Sequence, residues 1–396
     1  MNTLPLDLYS LIKFGLGDES WQQFVDRYEE KYDEVQIDGF SFAPMQLGYT
    51  FQQIITSTGA TPLPAYVDPE SPGYEAALRK ISGSSDNIPT QKMYYRLNRV
   101  TVREKLQLIQ KVGAAALTPE MQGAFIGLLD ESTDGLIKSF YNALTHQRMQ
   151  IVSKGKFTID ATNNPRGLQG ITIEFGIPKN HFDTLSGNDR FWTNTEHITG
   201  NEGNTSDPIL YMKNRIKAIR RTYHYYGPIQ IEMAVDLRDD LLTHSKVLSR
   251  IGHAMYPNVT DEATVVANAK NYSDEALMQY MGRLVGATIV ARDTYAYVTK
   301  PGKNDDEEND IVTTQIENFD PKNIAFIPTG ELGTIMGVEP ITLGYDPQYV
   351  ANYAGGRLKL TQRAIPDTHS IYIESEAAQL CVPNQPQAMF ISTVTV

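Results

Sequence analysis

Seven histidines, at positions 146, 181, 197, 224, 244, 253 and 369, and one cysteine, Cys381, are the residues from which a nucleophilic or metal-dependent site would have to be built. Their spacing supports neither. A zinc site needs three or four converging donors, and no H-E-x-x-H pair occurs in the chain. Cys381 has no nearby histidine in sequence to activate it, so it reads as a structural thiol. No G-x-S-x-G elbow is present, and Gly155-Lys156 lacks the upstream glycine that bends a phosphate loop. Gly15-Leu16-Gly17 begins a dinucleotide fingerprint without the preceding strand or the third glycine. The acidic run Asp305, Asp306, Glu307, Glu308, Asn309, Asp310 lacks the alternating donors and mid-loop glycine of a calcium loop, and reads as a solvated tip. The sequence therefore assigns no catalytic residue, no metal ligand and no cofactor.

The remaining chemistry lies in KNRIKAIRRTYHYY (213 to 226), where Lys213, Arg215, Lys217, Arg220 and Arg221 meet Tyr223, Tyr225 and Tyr226. Three readings stay open. The row is the wet face of an amphipathic helix, a stacking and phosphate-binding surface for nucleic acid, or a cationic face that pairs with an acidic neighbouring subunit. With a net charge of −12 the chain does not attract nucleic acid through general basicity.

The 396 residues predict two or three compact units, and 41% hydrophobic with 21% charged residues is the balance of a folded protein. No apolar run reaches the roughly 18 residues of a membrane span, and a lone cysteine suits a soluble protein made in a reducing cytoplasm.

The elements that would position these residues follow from periodicity. Trp21, Phe24, Val25 and Tyr28 share one face of a short acidic helix, which is either a projecting arm or an ordinary surface helix. QLGYTFQQIIT (46 to 56) and KMYYRLNRVTV (92 to 102) read as strands of one long hairpin, with a tip rich in glycine and proline and a helical turn or two at Tyr74 to Ile81. Glu120 to Val152 reads as a helix near 50 Å long. Gly123, Gly127 and Gly135 make a break near Asp130 to Gly135 the competing reading.

A β-hairpin follows, from KGKFTID to QGITIEFGIP. Asp207 and Pro208 cap a helix with the stripe Ile209, Met212, Ile216, Ile219, ended by Gly227. Then come a strand (PIQIEMAV), a helix (DLLTHSKVLSRIG), a helix opened by Ser273, a strand (ATIVARDTYAYVT) and, after the acidic run, the strands NIAFIP, GTIMGV, SIYIES and AMFISTVTV. This is an α+β order with no internal repeat.

Several segments resemble the major capsid proteins of tailed bacteriophages, and more narrowly the lambda-type capsid protein E family. They are THQRMQIVSKGKFTIDA, NPRGLQGITIEFGIPKNH, FWTN around Trp192, DPILYMKNRI, NIAFIPTGELGTIMGVEP and VPNQPQAMFISTVTV. The resemblance implies the Hong Kong 97-like fold: an N-terminal arm (1–44), an extended loop (45–100), a peripheral domain with a spine helix (101–206), an axial domain (207–360) and C-terminal strands returning to the peripheral domain (361–396). It implies a structural protein and not an enzyme. Its copies would form hexamers and pentamers of an icosahedral head around double-stranded DNA, with scaffolding, portal and decoration proteins as further partners. Packaged DNA would be contacted non-specifically at most, and membranes not at all. The expected location is the virion, with assembly in the host cytoplasm. Candidate contacts between subunits are Glu75, Arg79 and Lys80 in the loop and Lys213, Lys217 and Arg220 on the helix. The alternatives are an encapsulin-type compartment shell and a hydrolase assembled from distant carboxylates.

Overall fold

The computed structural model describes residues 16, 19–32, 36–56, 81–98, 119–165, 169–185, 206–293, 295–301, 311–340, 347–365 and 370–394. Among these the helices are α1 (Trp21–Tyr32), α2 (Pro119–Lys154), α3 (Pro208–Thr222), α4 (Val235–Thr243), α5 (Ser245–Met255), α6 (Glu262–Ala269) and α7 (Asp274–Val285). The strands are β1 (Phe40–Phe42), β2 (Thr50–Thr56), β3 (Ile81–Asn87), β4 (Thr90–Asn98), β5 (Lys156–Ile159), β6 (Ile171–Glu174), β7 (Phe182–Thr184), β8 (Ile229–Ala234) and β9 (Thr288–Arg292). They continue with β10 (Tyr295–Pro301), β11 (Ile311–Glu317), β12 (Asn323–Pro328), β13 (Gly333–Val338), β14 (Val350–Tyr353), β15 (Leu358–Ile365), β16 (Ser370–Pro383) and β17 (Phe390–Thr393). The chain divides into unit 1 (Met1–Phe51, Asp86–Thr145, Thr334–Val382) and unit 2 (Gln52–Ser85, His146–Gly333, Pro383–Val396).

Unit 1 holds a six-stranded sheet ordered β1-β13-β16-β15-β14, with β4 also pairing β16. Trp21, Phe24, Val25 and Tyr28 recur at helical spacing and all are buried. Trp21 Nε1 donates to the Leu360 carbonyl at 3.2 Å, and the Tyr28 hydroxyl donates to the Asp130 carboxylate. Segment 21–32 is thus a surface helix packed on its own unit, the second of the two readings open for it.

Helix α2 runs unbroken for 36 residues, about 54 Å, so the competing break near Asp130 to Gly135 does not occur. The stretch is tied from outside. Lys31 donates to Asp134 at 2.5 Å, Tyr32 at 2.6 Å, and Lys138 lies 2.7 Å from its other oxygen. These partners hold the Asp134 carboxyl at about 2, overcoming the burial that would raise it. Gly135 has a packing reason as well, since a Cβ there would lie 2.6 Å from the Tyr95 hydroxyl.

The expected long hairpin is corrected. β2 pairs with β3 and not with 92–102, while β4 runs antiparallel to β16 from Thr90↔Ala378 to Asn98↔Ser370. Pro89 supplies the physical reason, because it has no N–H to carry the β3 ladder forward and the chain is released into a new partnership. Charge then fixes the new register: Glu376 lies directly opposite both Lys92 of β4 and Lys359 of β15. Lys359 is buried and sits 2.5 Å from Glu376; Lys92 approaches the other oxygen at 3.2 Å. The remainder of the predicted strand, 99–102, lies outside the described residues.

Unit 2 is built on a five-stranded sheet, β7-β17-β12-β8-β9, with the separate hairpins β5-β6 and β10-β11 and most of the β2-β3 pair. The predicted stripe Ile209, Met212, Ile216 and Ile219 enters a core shared with Ile231, Met233, Ile324, Phe326 and Phe390. Asp207 caps α3 by accepting from the Leu210 N–H at 3.0 Å. The helix stops at Thr222 rather than running to Gly227, and His224 already has φ 56°.

DLLTHSKVLSRIG, expected as one helix, is two. His244 is extended between α4 and α5, and its Nδ1 accepts from the Lys246 N–H at 3.2 Å as the cap of α5. Helix α6, capped by Asp261, was not anticipated. Ser273 caps α7 as expected and Gly286 closes it at φ 81°. The stretch ATIVARDTYAYVT is split at Asp293 into β9 and β10.

Candidate functional site

No group of His, Cys, Asp and Glu that could hold a metal occurs among the described residues. Cys381 is buried, its thiol directed 3.7 Å from the Leu144 carbonyl. Burial pushes His181 down to about 4; its ring stacks on Phe390 with centroids 3.9 Å apart, and Nδ1 meets the Met389 carbonyl at 3.0 Å. It is a neutral core residue. The described helices include none long and apolar enough to cross a membrane.

The most constrained charges of unit 2 are structural. Glu232 of β8 is 0% exposed and Arg148 of α2 is 2% exposed, and the guanidinium grips the carboxylate with both ends at 2.5 Å. Arg292 of β9 donates at 2.6 Å and Gln230 at 2.8 Å to the same Oε1. Burial alone would raise this carboxyl, but Arg148 and then Arg292 overrule it and hold it at about 2. The sequence hides this group, because in Ile229-Gln230-Ile231-Glu232 strict alternation assigns Glu232 to a wet face. What reverses the assignment is Arg148, a buried cation in the last turns of α2.

The predicted contact residues divide in two. Glu75, Arg79 and Lys80 lie outside the described residues. Lys213, Lys217 and Arg220 are brought together at i, i+4 and i+7 on α3, Lys217 and Arg220 exposed and Lys213 half-buried. None of the three makes an ion pair among the described residues, whereas Arg215, on the other flank, donates to the His181 carbonyl at 3.2 Å and lies 3.9 Å from Asp183.

A second surface escaped sequence reading. β10 and β11 form a two-stranded ribbon, with Tyr295 opposite Glu317 and Tyr297 opposite Gln315. Tyr297 is 68% exposed and Tyr295 45%. Asp236, Asp293 and Glu317, all exposed, surround Tyr295 and raise its hydroxyl pKa, Asp293 most. They border a recess of 20 Å³ lined also by Arg292 and Phe319. That volume holds about one water and is far below a small-molecule pocket. The signal in sequence was alternation of tyrosine with small residues in Tyr295-Ala296-Tyr297-Val298, which marks a strand but not its exposure.

Comparison with known proteins gives one broad match: the family model described as phage major capsid protein E spans residues 47–394. No curated protein matches the chain. Solved structures to which the chain is similar include a phage-related protein from Bordetella bronchiseptica (13% identity, TM-score 0.44, covering 99% of this chain and 98% of that one). Another is a putative prophage capsid protein of E. coli (11%, 0.44, 99% and 100%). A third is the mature capsid of bacteriophage PhiM1 (9%, 0.38, 90% and 85%).

Proposed function

We propose, from the premise that this chain belongs to the phage major capsid protein E family, that it self-assembles into the hexamers and pentamers of an icosahedral head enclosing double-stranded DNA. The family match over 47–394 carries this reading. As a member of that family the chain is a structural protein of the phage capsid and not an enzyme. We assign it the Hong Kong 97-like fold. The peripheral domain (101–206) includes α2 as its spine, the axial domain (207–360) includes α3 to α7, and 1–44, 45–100 and 361–396 are the N-terminal arm, whose α1 packs on its own unit, the extended loop and the returning strands.

The physics supports a shell subunit. Each copy offers separate charged and aromatic patches, and closure of many weak contacts makes a shell far more stable than any pair. Scaffolding, portal and decoration proteins complete the partner set, and assembly takes place in the host cytoplasm before the protein resides in the virion. A net charge of −12 keeps the wall from adhering to every phosphate it encloses. Sedimentation velocity of the purified full chain, alone and with a scaffold, tests the reading. Discrete species of five and six copies support it, and a monomer at every concentration and salt contradicts it.

A further inference from the structure

Building on that self-assembly reading, we propose that the β10–β11 ribbon, with the carboxylates at its base, docks on the basic row of α3 in a second copy of this chain. The ribbon is incomplete by itself. Two strands alone are marginal in water and present two open edges, and among the described residues no third strand joins this pair. One face carries the exposed Tyr295 and Tyr297, the residue type that anchors interface centres. The opposite face, Ala296, Val298 and Ile316, is only half-buried.

Charge selects the occupant. Asp236, Asp293 and Glu317 make no ion pair among the described residues, and each carries the field that Tyr295 registers. The 20 Å³ recess they border holds about one water and is lined also by Arg292, whose guanidinium donates to Glu232, so the three exposed carboxylates present their charge to a partner outside it. The complementary charges are Lys213, Lys217 and Arg220, which the same copy leaves without an acidic partner among the described residues. Neither set satisfies the other within one chain. A head-to-tail contact from ribbon to α3 leaves a ribbon free at one end and an α3 row at the other, and it closes into a ring when the rotation between copies closes.

The test reverses the charges in the full chain and reads ring yield by sedimentation and negative-stain microscopy. One variant carries Lys217→Glu with Arg220→Glu, a second Asp293→Lys with Glu317→Lys, and a third all four. Each single-sided reversal lowers ring yield at least about tenfold, since like charges then face each other. The four-fold variant, with polarity exchanged on both sides, returns yield to within about threefold of the parent. Tyr297→Ser, at an exposed position, lowers yield without change in circular dichroism and serves if a charge variant misfolds.

Rings undiminished in either one-sided variant, or no recovery in the four-fold one, overturn the inference while leaving self-assembly intact. So does a Lys217→Glu, Arg220→Glu chain that assembles normally but loses affinity for a DNA duplex, which makes the row a nucleic-acid surface. A parent chain that forms no rings refutes the self-assembly reading and this one together.

Discussion

Burying Glu232 obliges unit 2 to keep Arg148 beside it, because Arg148 serves both carboxylate oxygens whereas Arg292 and Gln230 serve Oε1. Glu232→Gln should therefore cost about 3 kcal/mol in urea unfolding, at the lower end of what breaking a buried pair costs. Arg148→Met should cost about the same, and the double variant less than the sum of the two. The same geometry sets a pH dependence. Glu232 titrates near 4.5 when unfolded and about 2 when folded, so its contribution is complete above 4.5 and is lost as pH falls toward 2. In Glu232→Gln this part of the acid limb flattens between those values, which urea midpoints taken across that range will show. His181 has the same sign for a different reason: burial lowers it from 6.5 to about 4, so stability declines as pH falls through that window. His181→Phe should remove that slope.

At the scale of elements, some helix positions merely tolerate glycine and others need it. Gly127 of α2 is exposed, and a Cβ there would have nothing within 4 Å, so Gly127→Ala should stabilise by about 1 kcal/mol through helix propensity. Gly252 of α5 faces Val265 of α6, where a Cβ would sit 2.8 Å from the carbonyl oxygen, so Gly252→Ala should force the helices apart and lower the melting temperature. Much of this level was legible in the sequence. The α1 and α3 stripes, the Asp207 and Ser273 caps and the β5–β6 hairpin follow from periodicity and capping chemistry alone. β3 was not legible, because Ile81-Ser82-Gly83-Ser84-Ser85-Asp86-Asn87 has one β-branched residue and is held by pairing, not propensity. Helix α6 is short, and its signal is a single Asp261 cap. The candidate site was half legible: the α3 row follows from spacing, whereas the ribbon's carboxylates come together from three separate segments.

At the scale of the whole molecule, the chain carries unlike patches, and the proposed assembly pairs them between copies. Because those patches meet as exposed charges, assembly should weaken as salt rises from about 0.05 to about 0.5 M, where the screening length falls well below 10 Å. A shell held mainly by apolar burial would strengthen instead. Light scattering through a salt series separates the two. The most direct measurement is electron microscopy of the purified full chain, with scaffold supplied if needed. Closed particles with five- and six-fold capsomers are the predicted result, and isolated subunits under every assembly condition would contradict the account.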